Sequence, residues 1–216
     1  MLSQSIKDSI DSFYQDIKSS NLIYLNAKEG KLGPQNIQRY LASVRYLIQH
    51  TPIHLRLALQ ESQRRNQTEL AAYFETKLIE EVGHDKWAEE DLVRMGQTPQ
   101  DTLVAPAIRK LVDNNEQLIL QNPELYLIYI FFAEYFTVLG GPEWLAMLQN
   151  NCGIPTSQMS VVDNHVELDK SHVMDGIAEI NKLITNSQDS EIYLAALRGS
   201  MQVMNEFYND VGTCSN

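Results

Sequence analysis

Residues 161–177, VVDNHVELDKSHVMDGI, read as a single amphipathic helix. Val162, Val166, Val173 and Ile177 recur at three- and four-residue steps and mark the face turned to the core. His165, Asp169 and His172 fall on that same stripe, at i, i+4 and i+7. Three ionisable groups therefore point where apolar side chains belong. Burying them unpaired costs several kcal/mol each, so each needs a partner. Imidazole, carboxylate and imidazole along one helical face suit a divalent transition metal. Asp163, Glu167 and Asp175 project to other faces of the helix and are expected in solvent.

Working outward, helical periodicity continues in both directions. Ile6, Ile10, Phe13 and Ile17 predict a helix over residues 3–20. The connector AKEGKLGPQN follows, with Pro34 placed to open a helix from Gln35 to His50. Pro52 is expected to break or kink that helix before a segment from Ile53 to Arg65. One long pattern, Leu70, Phe74, Leu78, Glu81, His84, Ala88 and Leu92, predicts a helix from Thr68 to Met95, stopped at Gly96. Pro106 starts another helix. Pro123 precedes a helix over Glu124–Leu139, which Gly140, Gly141 and Pro142 are expected to end ahead of a short helix over Glu143–Asn150. The 161–185 helix and a last one, Asp189 to Val211, complete the chain. No segment alternates convincingly with period two. The expectation is an all-α bundle of about seven helices forming one domain over residues 1–216.

Composition narrows the function. The 216 residues carry a formal net charge of −11 and no basic run, which disfavours nucleic acid and anionic membranes as partners. The apolar run Leu125–Ala133 is too short to span a bilayer, and MLSQSIKDSIDSF lacks the features of a signal peptide. Cys152 and Cys214 form no motif, which fits a reducing cytoplasm.

Two further sites carry chemistry. Glu81 and His84 stand at i, i+3 on the stripe of the long 68–95 helix, a ligand spacing of carboxylate-bridged dimetal bundles. Glu80 is the less inward neighbour. Glu134 is the one charged residue between Leu125 and Leu139. A charge amid so apolar a helix needs a cation, either a metal or an arginine such as Arg45 or Arg56. The six residues Glu81, His84, Glu134, His165, Asp169 and His172 offer three carboxylates and three imidazoles. Iron, or alternatively manganese, suits that mixture, and no cysteine is placed to favour zinc.

The residues Glu-Glu-x-x-His-Asp at 80–85, the isolated Glu134, and His-x-x-x-Asp-x-x-His at 165–172 together resemble the haem-oxygenase-like diiron oxidases and oxygenases. That family includes CADD-like proteins. The resemblance implies a seven-helix haem-oxygenase-like fold and two irons that bind dioxygen as ferrous ions. It implies that Glu81, His84 and His165 hold one iron and that Asp169 and His172 hold the other. Glu134 would lie between them as the bridging, catalytic carboxylate. A small-molecule substrate (an amine, amino acid or carboxylic acid) and dioxygen are the implied partners, and a homodimer is consistent with the family.

Two departures from the family pattern stand out. Residues 30–60 contain no Asp or Glu where several members add a carboxylate; Gln49 or His50 is the available substitute. Lys77 stands seven residues before His84, where some members carry a Glu. Its expected role is a snorkelling surface lysine, with a cation near the site as the alternative. His50 and His54 read mainly as structural, and the aromatics around Glu134 mainly as core. Two other functions compete. One is a metal-free, thiaminase-like hydrolase of the same fold using a cysteine. The other is an interaction protein that retains the bundle without the chemistry.

Overall fold

The computed structural model describes residues 1–100, 103–184 and 190–213, and every element among them is helical. The chain runs α1 (Leu2–Ser20), α2 (Leu22–Lys28), α3 (Pro34–Arg64), α4 (Thr68–Glu81), α5 (Asp85–Arg94), α6 (Pro106–Gln121), α7 (Pro123–Cys152), α8 (Ser160–Leu183) and α9 (Ser190–Gly212). The expected endpoints at residues 185 and 189, and Cys214, lie outside the described residues.

Helix α7 is the axis of the fold. Its residues are apolar around the whole circumference, and α1, α2, α3, α6, α8 and α9 all pack on it. By length and composition α7 could cross a membrane, but 72% of its most apolar window is buried against these neighbours. Asn122 caps it by accepting from the Glu124 amide at 3.2 Å. Gly153, left-handed at φ 69, ends it.

Four sequence expectations need correction. The Gly140-Gly141-Pro142 run does not stop a helix: α7 continues through it to Cys152. Those glycines sit where a neighbouring helix presses in, with Tyr14 against Gly140 and Val166 against Gly141, so packing holds the segment helical. Of the two outcomes expected at Pro52, the break does not occur: the proline lies inside one 31-residue helix, α3, where it forfeits one amide hydrogen bond. Residues ahead of the expected connector, for which no element was expected, fold with its first two residues as α2, because Asn21 accepts from the Ile23 amide at 3.0 Å and restarts the helix. The fourth correction concerns the expected 68–95 helix. It is two helices, α4 and α5, broken at Val82–His84, and that break builds the first half of the site.

Candidate metal centre

The six predicted ligands come together in two groups, each with potential ligand atoms within 4.8 Å of one another. The first is Glu81, His84 and His165. Glu81 is the last residue of α4 and His84 directly precedes α5. Between them Gly83 takes φ +96 and turns the chain. The two side chains thus meet across a helix junction, with His84 Nδ1 3.3 Å from Glu81 Oε2. His165 arrives from α8. Its Nδ1 is 2.6 Å from the Val161 carbonyl, which can only accept, so Nδ1 carries the proton and Nε2 is left free to ligate. The His84 ring stacks on Trp87 at 4.3 Å, and both meet His165 edge-on. Burial pushes Glu81 up, but the imidazoles of His84 and His165 outweigh it and its pKa falls below the ordinary glutamate value.

The second group is Glu134 of α7 with Asp169 and His172 of α8. His172 Nδ1 lies 3.1 Å from Asp169 Oδ1, and this contact, ahead of the cost of burial, raises the His172 pKa. Glu134 is 7% exposed, and burial pushes its pKa up to about 7 despite a cation beside it. That cation is neither Arg45, which pairs with Glu89, nor Arg56, but Lys77. The Lys77 ammonium lies 2.9 Å from Glu134 Oε1 and 3.2 Å from Glu80 Oε2. Lys77 is therefore no surface lysine: it is 7% exposed, and although burial lowers its pKa, Glu134 and Glu80 raise it further.

The donor set fits a pair of divalent first-row cations. Each group mixes carboxylate and imidazole. One buried ligand atom, Glu134 Oε2, has no hydrogen-bond partner, as expected of an atom reserved for a metal, and His84 Nδ1 meets only Glu81 of its own group. Both groups border one cavity. Lys77, Glu81, Glu134, His165 and Asp169 line its polar end, and aromatic side chains such as Tyr40, Trp144 and Phe207 wall the remainder.

Elsewhere the structure separates what the sequence left open. Gln49 faces Asp85 at 3.3 Å, and His50 binds the Tyr46 carbonyl; neither joins a ligand group among the described residues. His54 is buried edge-on against Tyr126, as a structural residue. Asp163, Glu167 and Asp175 are exposed as expected. Cys152 is half-buried, with its sulfur against the Ala27 carbonyl rather than on the cavity.

Sequence reasoning missed Trp87 and Asp91, and gave Glu80 and Lys77 lesser places, Glu80 as the less inward neighbour and Lys77 as a surface lysine with a cation near the site only as the alternative. Lys77 shares the stripe of Leu70, Phe74 and Glu81, which was a legible sign of burial. Trp87 and Asp91 follow His84 at i+3 and i+7. Asp91, fully buried, accepts from the Val161 amide at 2.9 Å and from the Ser160 hydroxyl at 2.7 Å, and so caps α8 from α5.

No family model and no curated protein sequence matches the chain. Solved structures do. A domain of unknown function with a haem oxygenase-like fold from Shewanella denitrificans superposes with TM-score 0.82 at 19% identity, covering 97% of this chain and 90% of that one. A CADD-like protein of unknown function from Nostoc punctiforme gives 0.72 at 12% identity over 97% of both chains. A TenA homologue from Pseudomonas syringae gives 0.70 at 13% identity, covering 96% and 90%. The chain has the haem-oxygenase-like all-α fold expected from its motifs.

Proposed function

We propose that the protein is a non-haem diiron, dioxygen-dependent oxidase or oxygenase acting on a small amine, amino acid or carboxylic acid. The observation that carries this is the pair of carboxylate–imidazole triads, one with a buried carboxylate oxygen left unpartnered, bordering an apolar cavity. Glu81, His84 and His165 would hold one ion, and Glu134, Asp169 and His172 the other. Ferrous ions held there would supply activation of dioxygen. The chain's own residues do the rest. Val161 holds His165 in the tautomer that presents Nε2. Asp169 orients His172. The aromatic walls exclude water and take up the apolar part of a substrate, which strengthens every electrostatic interaction at the polar end.

The test is an anaerobic ferrous titration followed by dioxygen uptake. Wild type should take up about two irons per chain, matching the two triads. His165→Ala and His172→Ala should each bind less iron and lose dioxygen consumption while keeping the wild-type helical circular dichroism. Normal iron content and oxygen uptake in both variants would overturn the proposal.

The likeness to a TenA homologue supports a second reading, a metal-free hydrolase of the same fold with a cysteine nucleophile. Cys152 fits it poorly, because it lies off the cavity and burial pushes its thiol pKa up, away from the reactive thiolate. Metal-independent turnover that survives Cys152→Ala would count against both readings.

A further inference from the structure

We propose that Lys77 is a built-in cation of the second triad, so that the two triads load metal unequally. Glu81–His84–His165 fills first and tightly. Glu134–Asp169–His172 fills weakly, as the Lys77 ammonium gives up Glu134. This inference rests on the metal-centre reading above.

The geometry carries it. The Lys77 ammonium touches Glu134 Oε1 at 2.9 Å and Glu80 Oε2 at 3.2 Å. His172 flanks the same two oxygens, with Nδ1 3.6 Å from Glu134 Oε1 and Nε2 3.7 Å from Glu80 Oε2. Ammonium and imidazole therefore share one pair of carboxylates. A buried ammonium is costly without an anion, so it competes for Glu134 in earnest. A divalent ion entering this triad meets a fixed positive charge a few ångströms away, on a residue that is almost wholly buried. Glu134 still keeps its second oxygen, Oε2, without a partner, so the triad is weakened and not blocked. Lys77 reaches the first triad only through space and as the weakest of the influences on Glu81, whose direct ion pair is with His84, one of the triad's own members.

The experiment is equilibrium metal binding by the full chain, using ferrous iron under anaerobic conditions and manganese in parallel, with bound metal counted directly. Wild type should bind in two unequal steps. His172→Ala should keep the tight step and His165→Ala should lose it. Lys77→Met, which keeps the apolar stem and removes the charge, should tighten the weak step by about tenfold or more. Lys77→Arg should leave the two steps unequal. Two equal steps in wild type, or a weak step left unchanged by Lys77→Met, would overturn the inference while leaving the dinuclear reading intact. No metal bound by any of these proteins would overturn both. Should Lys77→Met not fold, Lys77→Gln, which also removes the charge, takes its place with the same expectation.

Discussion

The two triads are built by different physics. The first is assembled across a break between helices and is stitched by polar contacts. Glu81 ends α4, His84 precedes α5, and Asp91 of α5 ties that helix to the amide end of α8, from which His165 projects. The second lies within unbroken helices. Close packing of α7 on α8 and the Lys77–Glu134 ion pair hold it together. The contrast teaches that one helix, α8, serves two ligand groups by being fixed differently at its two ends. Changes to hydrogen bonds should therefore be felt at His165, and changes to packing at His172.

The largest separation of the two should come from Asp91→Ala. The buried carboxylate accepts from the Val161 amide, from Ser160, and from Arg94 at 2.7 Å. Removing it strands a helix-terminal amide and deletes a negative charge from the N-terminus of α8. The expected loss is about 3 kcal/mol, from charge-assisted hydrogen bonds of this kind. Thermal denaturation of the metal-free protein should show it as a drop of roughly 6–12 °C. The tight metal-binding step should weaken more than the weak one. Equal weakening of both steps would show that α8 moves as one body and that the contrast is false.

A smaller effect, of opposite selectivity, is expected at the other end. Gly176 of α8 faces Phe131 of α7, and a Cβ there would stand 2.8 Å from the Phe131 ring. Gly176→Ala should push the helices apart near His172 and cost about 2 kcal/mol by overpacking. The weak metal step should suffer, and the step that depends on His165 should not. Trimming the ring in a double variant, Gly176→Ala with Phe131→Leu, should recover part of the loss; no recovery would place the strain elsewhere.

The same contrast explains how far the sequence could be read. Within α8 the ligands stand on a valine stripe of unbroken helical period, so His165, Asp169 and His172 were legible by position alone. Glu134 was legible as a lone charge in an apolar helix, and Lys77, in the alternative reading, as a cation near the site, but the pairing of the two was not. Lys77 lies 57 residues away in sequence, and pairing across helices leaves no periodic trace. The Glu81–His84 pair was read as neighbours on one helix because periodicity runs through Val82 and Gly83 without a proline or a polar cluster. What breaks the helix is a single glycine able to adopt positive φ, and nothing in the local pattern distinguishes it from a tolerated helical glycine. Conversely, the Gly-Gly-Pro run of α7 has strong local stop signals that tertiary packing overrides. Asp91 was hidden for the reason the Lys77–Glu134 pairing was: its role is to cap a helix far along the chain.

That single glycine offers the finest test of the comparison. At Gly83 a Cβ would meet nothing within 4 Å, so Gly83→Ala adds no clash and probes only the cost of φ +96 in an L-residue. The expected destabilisation is about 1 kcal/mol. Relief of the strain by straightening the junction would carry His84 away from Glu81, so the tight step should weaken several-fold while the weak step stays unchanged. Metal binding separates this from a general loss of stability, because Gly176→Ala costs more in folding and yet should spare the tight step. If Gly83→Ala leaves both steps as in wild type, the α4–α5 junction tolerates a side chain, and the position of His84 is set by its stacking on Trp87 instead of by the turn. Trp87→Ala would then take over as the variant that loosens the first triad.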